Sequence, residues 1–183
     1  KIHVKQAEEL TANLFWGMDF NVMHMTAVLG CSYSDGSIHY FDEIRQSNSN
    51  TEQLAIAMKK IAPGISVYPD ATGSARSTTS NKSDHQILRD HGFNVIAKKV
   101  NPPIIDRINA LNRMLLDANG KIRMTVDPKC TYLIKDLEQV QRSRDGKIEK
   151  LKDITLSHAF DACSYYIALK NPVVKRLVTS SQW

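Results

Sequence analysis

The sequence predicts an α/β fold with a mixed sheet, in which three antiparallel strands precede parallel strands and helices cover both faces. Two observations support this fold class. Asp35-Gly36 separates two apolar runs, which is a strong hairpin signal. Further along the chain, strand, helix and strand patterns alternate, as in a right-handed parallel crossover. With 183 residues, 42% of them hydrophobic, the chain is long enough for one domain with its own core.

Three strands are predicted at the start of the domain, over 14–20, 25–32 and 37–44. The period-two alternation of a strand places Gly17 and Asp19 of the first strand on the same face. Because glycine has no side chain, we expect Gly17 to leave room beside Asp19. A carboxylate within the aromatic run LFWGMDF is costly to bury without a partner, which favours a functional role for Asp19.

Two capping boxes, Ser49 with Glu52 and Ser83 with Gln86, predict the starts of two helices. Between these helices, the segment ISVYPD predicts a short buried strand that runs into Asp70. After the second helix, FNVIA predicts another strand. This succession predicts the parallel part of the sheet.

The second half of the chain predicts three further helices, a short extended piece and a basic hairpin. The helices are expected over 103–118, 127–140 and 157–169, and the extended piece over 121–126. The hairpin, at about 139–152, has Asp145-Gly146 at its centre. The predicted domain therefore occupies residues 1–170, and residues 171–183 are expected to form a loosely held tail.

The net charge of +5 is unevenly distributed along the chain. Residues 1–97 carry 8 basic and 10 acidic side chains, whereas residues 98–183 carry 16 basic and 9 acidic side chains. This asymmetry favours a polyanionic partner, although a basic face is more often simply solvated. Five basic side chains of the predicted hairpin are expected to contact phosphate groups: Arg142, Arg144, Lys147, Lys150 and Lys152.

The three cysteines, Cys31, Cys130 and Cys163, cannot all pair, and none belongs to a CxxC motif. Each lies in an apolar pattern, so we expect small hydrophobic core residues in a reducing compartment and no zinc cluster. No apolar run approaches the roughly 18 residues that would span a bilayer.

Three acidic residues are distinguished by their positions: Asp19 on the first strand, Asp70 after the crossover strand and Asp161 on the last helix. A strand order of 3-2-1-4-5 would bring Asp19 and Asp70 together outside the carboxyl ends of neighbouring strands, where open α/β sheets bind ligands. On the last helix, His158, Asp161 and Tyr165 share a face by their spacing. Converging carboxylates repel each other unless a cation neutralises them, and Mg²⁺ or Mn²⁺ suits such ligands.

Each of these residues also has an ordinary interpretation. Asp70 can be a turn former before the Ser/Thr-rich loop that follows it, and Asp161 can be an acid favoured by the helix dipole. His158 is more often a cap or a support for a neighbouring acid than a metal ligand. The remaining acids, among them Glu43 and Asp136, are expected to be surface or capping residues.

The segments GMDFN, YPDATGSA and SHAFDACSYY, in this order, resemble the nuclease domain of the large terminase subunit of tailed bacteriophages, a member of the ribonuclease H-like superfamily. The resemblance covers nearly the whole chain. It implies a metal-dependent endonuclease that cuts concatemeric viral double-stranded DNA. It also implies an ATPase motor domain in the same full-length chain, the portal and the small terminase subunit as partners, and the host cell cytoplasm as the location.

Carried over to this sequence, Asp19, Asp70 and Asp161 match the three metal-binding acids of that family. We expect two Mg²⁺ or Mn²⁺ ions, with Asp19 bridging both, Asp70 holding one and Asp161 the other. A fourth acid that many ribonuclease H-like nucleases use is missing. The chain starts with Lys1 and has no G-x-x-x-x-G-K-[ST] motif, so we expect a piece of a longer protein from which the motor is absent.

Other functions fit parts of the same pattern. Another ribonuclease H-like nuclease, such as a junction resolvase or an integrase-type recombinase, would share the chemistry and differ in substrate. A non-catalytic DNA-binding module would use only the basic second half, and its binding would be indifferent to the three acids. A kinase or ATPase of similar topology would need a glycine-rich phosphate loop, whereas the eight glycines here form no such cluster.

Overall fold

A six-stranded mixed sheet lies at the centre of the computed structural model, which describes residues 13–21, 23–75, 81–142, 148–149 and 156–173. The strands are β1 (Asn13–Asp19), β2 (His24–Ser32), β3 (Ile38–Ser47), β4 (Ser66–Pro69), β5 (Asn94–Val95), β6 (Met124–Val126), β7 (Gln141–Arg142) and β8 (Ile148–Glu149). The helices are α1 (Thr51–Ile61), α2 (Asp84–Asp90), α3 (Ile104–Leu115), α4 (Thr131–Gln139) and α5 (His158–Lys170), and a 3₁₀ turn covers Ala71–Ser74.

The order of the strands in the sheet is β5-β4-β1-β2-β3-β6. β1 pairs antiparallel with β2 and β2 antiparallel with β3, while β4 pairs parallel with β1 and β5 parallel with β4. The predicted mixed α/β fold and its order 3-2-1-4-5 are therefore confirmed. β6 was expected only as an extended piece, and it adds a sixth strand parallel to β3 at the far edge.

Apolar side chains on the two faces of the sheet form two separate core clusters. On one face, Trp16 and Met18 of β1 pack with side chains of β2, α1 and α2, among them Leu54 and Leu88. On the other face, Phe15 packs with side chains of α3, α4 and α5. The alternation of β1 thus covers both faces of the sheet with apolar side chains.

At Gly17 the backbone of α5 approaches the sheet closely. A Cβ atom added at Gly17 would lie 2.1 Å from the backbone oxygen of Ala162. The sequence predicted open room at this glycine, but the backbone of α5 fills it. The absence of a side chain at Gly17 therefore serves to bring α5, and with it Asp161, close to the end of β1.

Of the three N-caps predicted from capping boxes and from Asp127-Pro128, one is confirmed and two are wrong. Ser83 caps α2 as predicted, since its hydroxyl accepts the Gln86 backbone N–H. Helix α1 is capped by Asn50 instead of Ser49, because the hydroxyl of Ser49 is bonded to the side chains of two glutamines. Helix α4 starts at Thr131, beyond the predicted cap at 127–128, and the Glu43 carboxylate of β3 accepts two N–H groups of its first turn.

The predicted basic hairpin lies largely outside the described residues. β7 and β8 pair antiparallel, with Arg142 opposite Ile148, but none of the five basic side chains assigned to the hairpin belongs to the described part. The predicted tail lies outside it as well, apart from residues 171–173. Cys31, Cys130 and Cys163 are free and buried, as predicted. No helix in the described ranges has the length and apolar character needed to cross a membrane.

Candidate active site

Asp19 and Asp70 lie side by side at the carboxyl ends of two neighbouring parallel strands. In the register of β1 and β4, Met18 is opposite Pro69, so the next residue on each strand is one of the two acids. The backbone N–H of Asp70 donates to the carbonyl of Met18 at 3.0 Å. The pairing of β1 with β4 thus fixes the separation of the two acids at the backbone.

Helix α5 contacts both acids through residues of one face. Nδ1 of His158 donates to Oδ2 of Asp19 at 2.9 Å, and the hydroxyl of Tyr165 donates to Oδ2 of Asp70 at 2.9 Å. Asp161 lies between these two residues on the same face of the helix. The structure therefore brings Asp19, Asp70 and Asp161 together at this edge of the sheet, and the shared face that the sequence predicted is the one that contacts the acids.

The negative charges at this edge act on one another through a poorly solvated region. Asp19 is 7% exposed, and burial raises the pKa of its carboxyl. The hydrogen bond from His158 lowers this pKa, whereas the charges of Asp161 and Asp70 raise it. The net pKa of Asp19 lies above its ordinary value, so an additional cation next to this carboxylate would be favourable.

The pKa of Asp70 is shifted in the opposite direction, below its ordinary value. Burial raises its pKa, but hydrogen bonds to its carboxylate outweigh that effect and hold the pKa below its ordinary value. Oδ1 accepts from the side-chain amide of Asn101 and from the backbone N–H of Thr72, each at 2.7 Å, and Oδ2 accepts from Tyr165. The turn-forming interpretation of Asp70 is thus correct for Oδ1, while Oδ2 faces α5.

Asp136 fixes the start of α5 from the neighbouring helix α4. Its carboxylate is 1% exposed and accepts the backbone N–H groups of Ala159 and Phe160 at 2.9 and 3.1 Å. Burial raises the pKa of Asp136, and these hydrogen bonds partly offset the effect. Ser157, the residue just before the first residue of α5, has a positive φ of 82°, which turns the chain sharply into this helix. The sequence placed Asp136 among ordinary capping acids and missed its burial.

Arg107 of α3 is, like Asn101, a site residue that the sequence did not reveal. Its guanidinium donates through Nη1 to Oδ1 of Asp161 at 2.6 Å and to the hydroxyl of Ser164 at 2.8 Å. The same group lies 4.8 Å from the centre of the Tyr165 ring. The only available signal was an arginine on the otherwise buried side of a helix, because Ala110, Leu111 and Met114 of α3 are also buried.

The donor set suits a hard divalent cation in its chemistry. The pKa of Asp19 is raised mainly by burial and further by the charges of Asp161 and Asp70, so three carboxylates lie close enough to act on one another, and carboxylate oxygens are the ligands that such ions prefer. In the described part of the chain, no three His, Cys, Asp or Glu side chains are arranged as a ready metal-binding group. The carboxylates are instead hydrogen-bonded to His158, Tyr165 and Arg107. The residues fit Mg²⁺ or Mn²⁺ in type, and an ion would have to share them with these partners.

The model of one protein family, the terminase RNaseH-like domain, matches residues 16–170. The chain belongs to this family. The matched range contains the six-stranded sheet from the second half of β1 onward and the five helices of the described residues, and it includes Asp19, Asp70 and Asp161. The resemblance drawn from GMDFN, YPDATGSA and SHAFDACSYY is therefore confirmed at the level of the family.

Solved structures of other terminase domains share the fold of this terminase RNaseH-like domain. The nuclease domain of the P22 large terminase has a TM-score of 0.71 and 19% identity, covering 93% of this chain and 89% of that chain. The nuclease domain of the bacteriophage SPP1 large terminase g2p, with bound Mn, has a TM-score of 0.57 and 15% identity, covering 90% and 93%. No curated protein sequence matches the chain.

The large terminase of the bacteriophage HK97 is similar over part of its length only. Its TM-score is 0.59 with 10% identity, and the match covers 91% of this chain but 40% of the HK97 chain. The terminase RNaseH-like domain described here thus spans less than half the length of that large terminase. At these identities the similarity shows a common fold.

Proposed function

We propose that this domain is the metal-dependent DNA endonuclease of a viral packaging terminase, cutting concatemeric genomic DNA by phosphodiester hydrolysis. The observation that carries the proposal is the convergence of Asp19, Asp70 and Asp161, from two strands and one helix, at the carboxyl edge of the sheet. The Mn bound in the SPP1 nuclease domain supports the use of a divalent cation here.

In the proposed site, two Mg²⁺ or Mn²⁺ ions would be held by the three acids, with Asp19 shared between them, Asp70 on one and Asp161 on the other. Such ions, when bound, activate a water for attack on the phosphodiester and stabilise the leaving oxygen. The protein supplies the orientation of the acids. His158 holds Oδ2 of Asp19, and Tyr165 holds Oδ2 of Asp70.

The exposed loop 97–100 supports an approach of DNA to this edge. Lys98, Lys99 and Val100 are exposed, and the next residue, Asn101, donates to the carboxylate of Asp70. Lys98 lines the same small cavity as Asn101 and Tyr165, the two side chains that donate to the carboxylate of Asp70. Phosphate contacts from such lysines would position the DNA without reading its sequence.

A second set of proposed phosphate contacts comes from the basic side chains of segment 142–152. We propose that Arg142, Arg144, Lys147, Lys150 and Lys152 also contact phosphates of the duplex. At the level of the whole protein, the proposed partners are an ATPase motor domain in the same full-length chain, the portal and the small terminase subunit, in the host cytoplasm. The match to less than half of the HK97 large terminase supports a longer chain.

Plasmid cleavage tests the proposed function. Supercoiled plasmid is incubated with the domain and Mn²⁺ or Mg²⁺, with EDTA in a parallel sample. We expect nicked and linear products that disappear with EDTA and in the Asp70→Ala variant. Asp90→Ala is the matched control, because Asp90 is an exposed aspartate at the end of α2 that pairs with Lys82. Intact plasmid under both metals, with DNA binding retained, would identify a non-catalytic DNA-binding module instead.

A further inference from the structure

We propose that Arg107 is an internal counter-cation of the acid cluster, which competes with a divalent ion for Asp161. The inference rests on the proposed function, since it assumes that the three acids bind metal. It adds a residue whose charge weakens metal binding in the DNA-free domain. The consequence is that the negative charge of a bound DNA phosphate would favour occupancy of the metal site at Asp161.

The first step in the argument is the burial of the guanidinium. Arg107 is 7% exposed, and its Nε atom is buried without a hydrogen-bond partner among the described residues. A buried charge is strongly unfavourable unless an opposite charge and hydrogen bonds compensate for it. The carboxylate of Asp161 supplies that compensation at 2.6 Å, and the hydroxyl of Ser164 supplies a second acceptor.

The second step is the position of Arg107 relative to the other acids. Its guanidinium contacts the ring of Tyr165, whose hydroxyl donates to Asp70, while Asp161 contributes to the raised pKa of Asp19. One positive charge therefore sits among three negative ones. In the metal-free protein it reduces the repulsion that three converging carboxylates would otherwise feel.

The third step is the effect on an incoming cation. Oδ1 of Asp161 already accepts from Arg107, so an ion must bind Asp161 with the guanidinium still in place or displace the guanidinium. In either case the like charges of the ion and Arg107 oppose each other over a short distance in a partly desolvated site. Metal affinity at Asp161 is thus set by competition as well as by the number of carboxylates.

Isothermal titration calorimetry with Mn²⁺ on the DNA-free domain tests the competition. We expect Arg107→Gln to bind Mn²⁺ on the order of tenfold more tightly than wild type, because a positive charge next to the site is removed. Arg107→Lys retains the charge and should remain close to wild type. An arginine with a purely structural role would lower the melting temperature of Arg107→Gln without tightening Mn²⁺ binding.

Measuring Mn²⁺ affinity in the Asp161→Asn variant shows whether Arg107 acts on the metal through Asp161. If the competition acts through Asp161, Arg107→Gln should change Mn²⁺ affinity much less in the presence of Asp161→Asn than in its absence. Should Arg107→Gln fail to fold, side-chain NMR of wild-type Arg107 during a Mg²⁺ titration provides the same test. We expect its guanidinium signals to shift as Mg²⁺ binds, and unchanged signals at Mg²⁺ saturation would overturn the inference.

The outcomes separate this inference from the proposed function. Equal or weaker Mn²⁺ binding by Arg107→Gln, with wild type still binding Mn²⁺ and cutting plasmid, overturns only the role of Arg107. Absence of Mn²⁺ binding by both proteins, together with intact plasmid, overturns both proposals. Tighter binding by Arg107→Gln but not by Arg107→Lys supports the counter-cation.

Discussion

The two faces of β1 carry side chains with different functions, although they belong to a single strand of seven residues. Trp16 and Met18 point to the α1 and α2 side, where both are fully buried in an apolar cluster. Gly17 and Asp19 point to α5, where one admits the helix backbone and the other binds His158. A substitution on the first face should therefore change mainly stability, whereas one on the second should change mainly the proposed chemistry.

The largest expected effect is the loss of cleavage in Asp19→Ala. If Asp19 bridges two ions, its removal should lower Mn²⁺-dependent plasmid cleavage at least about a hundredfold, since metal-based charge stabilisation is worth several kcal/mol. Asp70→Ala and Asp161→Ala should have comparable effects. Folding should survive in Asp19→Ala, because burial of the ionised carboxylate is unfavourable. Near wild-type cleavage by any one variant would remove that residue from the proposed site.

The neighbouring substitution on the opposite face, Met18→Ala, should have the reverse outcome. Truncating this fully buried side chain should lower the free energy of unfolding by about 2–5 kcal/mol. Cleavage per folded molecule, measured well below the melting temperature, should stay close to wild type. A cleavage loss as large as that of Asp19→Ala would show that the two faces of β1 are not independent.

Gly17→Ala should lower both the stability of the fold and the rate of cleavage. Its Cβ would overlap the backbone oxygen of Ala162, so α5 must move, and such overpacking typically costs about 1–3 kcal/mol. Because α5 carries His158 and Asp161, we expect cleavage to fall as well. Urea unfolding and plasmid cleavage on the same preparation measure the two effects. A loss of stability with unchanged cleavage would indicate that the acids tolerate displacement of the helix.

The pH dependence of stability should distinguish the two adjacent acids by sign. The pKa of Asp70 is lowered in the folded state, so its ionisation stabilises the fold above the unfolded pKa of about 3.9, and this contribution is lost as pH falls through the folded pKa. The pKa of Asp19 is raised, so its ionisation destabilises the fold at neutral pH.

Urea unfolding of Asp70→Asn and Asp19→Asn between pH 2 and 7 measures these contributions. We expect Asp70→Asn to be less stable than wild type at neutral pH and the difference to vanish in acid. For Asp19→Asn, we expect a stabilising effect that grows as pH rises from the unfolded pKa through the raised folded pKa. The same sign for both variants would contradict the opposite environments of the two carboxylates.

Local patterns predicted the individual strands and the positions of the acids, whereas the strand order 3-2-1-4-5 is what the resemblance to ribonuclease H-like domains implies. Alternation in LFWGMDF, the Asp35-Gly36 turn and the spacing of His158, Asp161 and Tyr165 each involve only a few neighbouring residues. The roles of Arg107, Asn101 and Asp136 depend on hydrogen-bond partners between 23 and 57 positions away. The one local signal is an arginine on the buried side of α3, and no local pattern distinguishes Asn101 or Asp136 from ordinary surface or capping residues.

The close packing at Gly17 is another contact between distant parts of the chain that the sequence could not indicate. The sequence correctly singled out a glycine next to Asp19, since a missing side chain next to an acid is a local observation. It could not indicate that the backbone of α5, about 145 positions further along the chain, would occupy the space. Likewise, Asn50 and Ser49 are both suitable caps for α1, and the choice depends on hydrogen bonds of Ser49 to two glutamine side chains.

The smallest expected effect concerns DNA binding by the loop beside the acids. Replacing both Lys98 and Lys99 by alanine should weaken binding of a short labelled duplex to the same degree for different sequences, because phosphate contacts do not read bases. The slope of log affinity against log salt should fall by about 1 for each lysine that contacts a phosphate. Fluorescence anisotropy at several salt concentrations measures both quantities.

The matched control for this loop is the pair Lys59 and Lys60, which is equally exposed but lies at the end of α1, on the other side of the sheet. Its replacement by alanine removes the same charge from the molecule. If binding depended only on net charge, the two double variants would lose affinity equally, and the loop would have no special role. A larger loss for Lys98 and Lys99 would place the duplex at the edge of the sheet where α5 brings the three acids together.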